Sequence, residues 1–308
     1  MRAILRKELA DYFTSIRFII LFILILFAAA AGLVAASEGI RGANLPEGFV
    51  FLGLFTTSGS VIPSLVTLIV LLVPIIGIAL GFDAINSERT GGTLSRILSQ
   101  PVFRDSLING KFLAGVVTLS IMVGTMLLLV SGYGLSMIGV PPTAEEVIRL
   151  FIYLFLTIIF GAFWMGLAIL FSVLLRRVAA SLLISLAFWL FFSIFILLIA
   201  PAIANALVPT AGGSEAEIIR NTELRLMMLR FSPNTLFSEA TTALLLPVIV
   251  GSLGLITQSQ AAYMLPNPIS LGQSLILIWP HITSLVSLSA ICFAISYVLF
   301  MKQEIRAT

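Results

Sequence analysis

The stretch GFDAINSERTGGTLSRILSQPVFRDSLINGK, Gly81–Lys111, decides the reading of this chain. It is polar, charged and broken by glycines. Long apolar runs, Val61–Gly81 and Phe112–Met137, flank it on both sides. An insert of this kind between two membrane-length runs has to sit in water at one face of a bilayer.

The bulk composition agrees with that setting. Of 308 residues, 59% are hydrophobic and 10% are charged, and the mean hydropathy is +1.15. A soluble domain carries roughly a quarter charged residues. The sequence therefore predicts an all-α integral membrane protein forming a single transmembrane domain over 1–308. A β-barrel is disfavoured because the apolar runs are continuous instead of alternating. Six runs are long enough to cross a ~30 Å hydrocarbon core: Phe18–Ala36, Val61–Gly81, Phe112–Met137, Ile148–Leu175, Val178–Ala200 and Leu275–Met301. The first is read as a span and not as a cleaved leader, because Ala35-Ala36-Ser37 is a poor cleavage site.

Positive charge sets the expected orientation. With both termini on the cytoplasmic side, the inner segments hold 12 of the 17 basic residues. The acids lean the other way, with 8 of 14 outside. The expected location is the cell membrane, multi-pass, with both termini cytoplasmic. The net charge of +3 follows from this asymmetry, and no basic-aromatic patch points to nucleic acid.

The chain starts with MRAILRKELADYFTSIR. Leu5, Leu9, Tyr12, Phe13 and Ile16 fall on one helical stripe, away from Arg2, Arg6, Lys7 and Asp11. This predicts an interfacial helix over 1–16, lying on the inner leaflet. In the island, Asp83, Glu88 and Arg89 extend the second span into water, and Gly91-Gly92 breaks the helix. Leu94, Ile97 and Leu98 then share one face of a short helix that ends at Pro101. Connectors are usually shorter than this 82–111 loop, so it reads as a docking surface for a cytosolic partner. The outer segment 201–274 carries a capping box, Ser214-Glu215-Ala216-Glu217, and Ser232 before Pro233 at a helix start. It is expected to form a helical cap before the last span, with a re-entrant hairpin as the alternative.

Little in the chain supports catalysis or metal binding. The single Cys292 gives neither a disulfide nor a thiolate cluster. Met227, Met228 and His281 are scattered soft side chains, read as packing. No HExxH is present, and the single His281 lies at the outer start of the last span. The only Gly-Lys, Gly110-Lys111, is followed by Phe112, and Asp105 stands where a phosphate-binding loop needs glycine. The spans also show no obvious buried ionisable residues of the kind that relay protons or sodium. That weighs against an ion-coupled transporter or channel. A membrane assembly or anchoring factor is a further alternative.

Asp83–Arg89, Gly92-Thr93-Leu94, Leu98-Ser99-Gln100-Pro101, Arg104 and Gly110-Lys111 resemble the cytosolic loop of type 2 ABC transporter permeases, including the nitrous-oxide-reductase maturation branch. Phe231-Ser232-Pro233-Asn234, the C-terminal Tyr297–Arg306 and the opening MRAILRKEL are similar to that branch too. The resemblance implies a six-span permease working as a homodimer or heterodimer. It implies a separate ABC ATPase, holding ATP and Mg, docked on Glu88, Arg89, Thr93, Leu94, Arg96, Ile97, Leu98, Gln100 and Arg104. The expected cargo is hydrophobic or amphipathic and moves outward.

Overall fold

Local chemistry sets most of the helix boundaries. In the computed structural model, residues 2–40, 49–92, 103–139, 141–210, 214–246 and 269–302 are described. Among them every regular element is helical. Helix α1 (Arg2–Thr14) meets α2 (Ile16–Ile40) at Ser15. The Ser15 hydroxyl donates to the Tyr12 carbonyl and accepts from the Phe18 amide, so one side chain closes α1 and opens α2. A short turn, α3 (Gly53–Thr56), precedes α4 (Leu65–Gly81), which Ser64 caps through the Thr67 amide. Helix α5 (Asn86–Thr90) ends at Gly91, and Gly92 follows at φ 66°, in the left-handed region that glycine enters most easily. The expected break at Gly91-Gly92 is therefore present.

Helix α6 (Arg104–Ile138) begins eight residues before the apolar run, so Asp105–Lys111 is helix and not connector. It stops at Gly139, with φ 74°. Thr143 opens α7 (Ala144–Leu174) with a reciprocal capping box to Glu146. Glu146 is fully buried, and its second oxygen accepts from the amides of Phe51 and Leu52 at the start of α3. The fifth span is α8 (Val178–Leu190), a π-helical turn at Phe191–Phe195, and α9 (Ile196–Leu207). Helices α10 (Glu215–Leu229) and α11 (Pro233–Leu245) follow, then α12 (Leu271–Lys302). Among the described residues, six helices are long and apolar enough to cross a membrane: α2, α4 continuing to Thr90, α6, α7, the fifth composite helix and α12.

Helix α7 is the centre of the bundle and packs against α4, α6, α8, α11 and α12. Lipid tails are as apolar as the side chains, so close packing has to hold the spans together. The α4–α7 contact shows how. A Cβ on Gly77 would lie 2.6 Å from the Gly161 carbonyl oxygen, and one on Gly81 would lie 2.5 Å from that of Met165. These glycines let the two backbones approach more closely than any side chain permits.

Helices α10 and α11 precede the last span, and the tip between them enters between the spans. The Ser232 hydroxyl donates to the Phe192 carbonyl at 2.8 Å, and the Asn234 amide donates to the Ser193 hydroxyl at 2.6 Å. Phe192 and Ser193 lie in the π-helical turn, midway along the 30-residue fifth span. A π turn shifts the hydrogen-bond ladder and leaves backbone acceptors for outside donors, and Ser232 takes one of them. Phe237 then stacks on Phe160 of α7, centroids 4.3 Å apart. Helix α11 is thus wedged against α7 and α12.

Candidate functional site

The base of the polar island is a network of ion pairs built around α1. Of the apolar stripe expected on α1, Tyr12 docks on the bundle and the far end does not. Ile16 is 75% exposed and Phe13 is exposed, while the buried position is Glu8. Glu8 meets Lys111 of α6, whose Nζ lies 3.0 and 2.9 Å from the two carboxylate oxygens. Lys111 also reaches Glu88 of α5 at 3.2 Å, and Lys7 reaches Glu88 at 3.5 Å. Burial alone would lower the Lys7 pKa. Glu8, Asp11 and Glu88 outweigh it and hold the ammonium above its ordinary value.

Gly110 makes this docking possible. A Cβ there would sit 2.7 Å from Cγ2 of Ile4, so α1 could not approach α6. The pair Gly110-Lys111 therefore has an intrachain role: glycine for the close approach, lysine for the buried carboxylate.

The other end of the island is held from the α1–α2 junction. Arg17 makes a two-pronged pair with Asp83, at 2.9 and 2.8 Å, and its guanidinium lies over the Phe82 ring. Tyr12 donates to the Leu80 carbonyl at 2.8 Å. From α7, the Ser172 hydroxyl accepts from the amides of Ile85 and Asn86, at 3.0 and 3.1 Å. Glu8 and Ile4 thus hold the exit of the island, and Tyr12 and Arg17 hold its entry.

Of the residues expected to dock a partner, Glu88 is largely buried among the lysines just named. Arg89 donates to the Val173 carbonyl at 3.4 Å and lies near enough to Arg176 to be repelled by it. Arg104 is the first residue of α6. Thr93, Leu94, Arg96, Ile97, Leu98 and Gln100 lie outside the described residues.

The far side of the bundle corrects the expectation that the spans hold no buried ionisable group. Arg149 lies five residues beyond the first residue of α7 and is fully buried. It donates to Glu145 through Nε and Nη2, to the Leu244 and Ile269 carbonyls, and to the Ser274 hydroxyl. A buried guanidinium is tolerated because these acceptors replace water. The residue joins α7 to the end of α11 and the start of α12. Close by in the cap, Glu239 of α11 accepts from Arg230 Nε at 2.9 Å and pairs with His281 Nε2 of α12 at 2.8 Å. Only the i, i+4 spacing of Glu145 and Arg149 and the Thr143 capping box hinted at any of this in the sequence.

The sequence matches the ABC-2 family transporter protein over residues 2–305. The chain belongs to that family. It is a multi-pass membrane protein, with six candidate spanning helices among the described residues, as the six apolar runs predicted. Two curated relatives agree. Both are named as the probable ABC transporter permease protein NosY. The one from Stutzerimonas stutzeri is 32% identical over 146 residues, 44% of this chain and 48% of the relative. The one from Pseudomonas aeruginosa is 31% identical over 153 residues, 48% of this chain and 49% of the relative. The matched segments thus span about half the length of each relative.

Proposed function

We propose that this chain is the transmembrane permease subunit of an ATP-driven ABC transporter that exports a hydrophobic or amphipathic molecule. The ATPase resides on a separate polypeptide with its ATP and Mg. Both termini and the 82–111 loop face the cytoplasm of a cell membrane, and a second permease chain completes the pathway. The observation that carries this reading is the clamp on the two ends of the island. Helix α1 ties the entry of the loop, through Arg17–Asp83 and Tyr12–Leu80, to its exit, through Glu8–Lys111. A loop with a pinned base passes a pull on its tip into α4, α6 and α7 together, where a loose connector would absorb it. The ATPase engages the Thr93–Gln100 segment, and its ATP-driven closure moves that segment.

The test is co-purification with an ABC ATPase from the same cell, followed by reconstitution. The pair is expected to transport only with ATP, and to stop when the ATPase is catalytically disabled. Uptake by the lone chain driven by a proton or sodium gradient would replace this reading with a secondary transporter.

A further inference from the structure

The Arg230–Glu239–His281 cluster has properties that packing does not require. Glu239 accepts two hydrogen bonds on one oxygen, from Arg230 Nε and from His281 Nε2. That fixes the guanidinium at its inner nitrogen only. Among the described residues, the two terminal nitrogens of Arg230 have no protein acceptor, and the side chain is 46% exposed. His281 Nδ1 is buried without a partner among the described residues.

The depth of the cluster identifies its surroundings. His281 stands 21 residues before Lys302 on α12. At 1.5 Å per residue this is roughly 31 Å, about one hydrocarbon thickness. The cluster therefore lies in the half of the bundle remote from Arg17 and Lys302, with Ser232 beside it bonded to the middle of the fifth span. Trp279, two residues away and 64% exposed, is the residue type that collects at membrane boundaries. Phe231, beside Arg230, is 76% exposed, and Met227, one helical turn before it, is 65% exposed. A fixed cation with open donors, flanked by exposed apolar side chains, matches a molecule with an anionic head and a hydrocarbon tail.

We propose that Arg230 binds the anionic group of an amphipath in this half of the bundle, with Glu239 positioning the guanidinium and with Phe231 and Met227 contacting the tail. The ligand is a carboxylate or phosphate amphipath, either a resident acidic lipid or the cargo. Its being cargo rests on the permease reading above. The site itself does not.

The test uses the full chain without any ATPase, in phosphatidylcholine nanodiscs, and compares dansyl-undecanoate with its uncharged methyl ester by fluorescence titration. The wild type is expected to prefer the carboxylate by about tenfold, the scale of one charge-assisted hydrogen bond. Arg230→Gln should abolish that preference, and Arg230→Lys should keep part of it. Equal binding of both probes by the wild type, or an unchanged preference in Arg230→Gln, overturns the proposal. The wild-type comparison stands even if a variant misfolds. Adding phosphatidylglycerol to the discs assigns the source: displacement of the probe marks a resident lipid, and persistent binding marks a cargo site. If the carboxylate binds as expected yet leaves ATP turnover of the assembled transporter unchanged, the permease reading fails for this ligand while the site remains.

Discussion

Lys111 and Glu8, 103 positions apart in sequence, form a buried two-pronged ion pair at 3.0 and 2.9 Å. Both side chains are less than one-tenth exposed. Neither residue belongs to an apolar core, yet together they fix the N-terminal helix on the third span. Removing Glu8 leaves the buried Lys111 with Glu88 alone, and removing Lys111 leaves Glu8 with Lys7 alone, while replacing both removes the problem.

Glu8→Ala alone is therefore expected to destabilise the chain by about 3 kcal/mol. The double variant Glu8→Leu/Lys111→Met should recover much of that loss, because Glu88 retains Lys7. Thermal unfolding of the purified variants in one detergent checks the order. If the double variant proves less stable than Glu8→Ala, the pair is not what holds α1.

Reversal of Glu88 should act on folding before it acts on any partner. Glu88→Lys places a third cation beside Lys111 and Lys7, and expression or thermal stability should fall. Leu94→Asp and Leu98→Asp should instead leave the isolated chain intact and uncouple the ATPase, at a cost of a few kcal/mol in the docked complex. Pull-down and ATP turnover measured beside a melting curve separate the two classes. Normal coupling in both leucine variants would remove the docking helix from the mechanism.

Orientation is tested by single cysteines in a Cys292→Ala background. Ser214→Cys should react with an impermeant thiol reagent in intact cells. Ser99→Cys should react only after lysis. Equal labelling at the two sites contradicts cytoplasmic termini.

Arg149 should anchor the cap. Arg149→Met removes the donor shared by the Leu244 and Ile269 carbonyls and the Ser274 hydroxyl. The expected loss is about 2–4 kcal/mol, since buried acceptors are left unpaired. Hydrogen exchange of the α11 amides should accelerate at least tenfold, with α4 and α6 little changed. Unaltered exchange in α11 would show that its contacts with Phe160, the π-helical turn and His281 hold the hairpin without Arg149.

Acid should loosen the same hairpin at a second point. Burial alone would raise the Glu239 carboxyl, but the hydrogen bonds from His281 and Arg230 outweigh it and hold the group below its ordinary 4.5. A depressed carboxylate contributes its stability fully above that ordinary value and loses it as pH falls through the lower folded one. Exchange in Pro233–Leu245 should therefore rise steeply only below about pH 4.5. Glu239→Gln should flatten that rise, and a profile identical to wild type would rule out this carboxylate as its source.

The spans were legible because six apolar runs of membrane length leave few other readings. Their ends were not. Arg104–Lys111 reads as loop by composition, but the helix of the third span continues through it because Lys111 finds Glu8 and Glu88. A buried charge looks like a surface charge in sequence, and its partner is usually far away in the chain. Glu8 and Arg149 were invisible for that reason. Arg149 had two local clues, its i, i+4 spacing from Glu145 and the T-x-x-E pattern at Thr143–Glu146, which starts the helix early enough to place it inside. Nothing in Phe191–Phe195 announced a π turn, whose partner Ser232 is forty residues away.

Gly77 and Gly81 carry the small-residue spacing that makes isolated membrane helices self-associate. In the folded chain this face is already occupied by the backbones of Gly161 and Met165. A synthetic peptide of the second span is thus expected to dimerise readily, and its dimer would say nothing about how two whole chains meet. Peptide-level association assays on this protein report an internal contact, transplanted between copies.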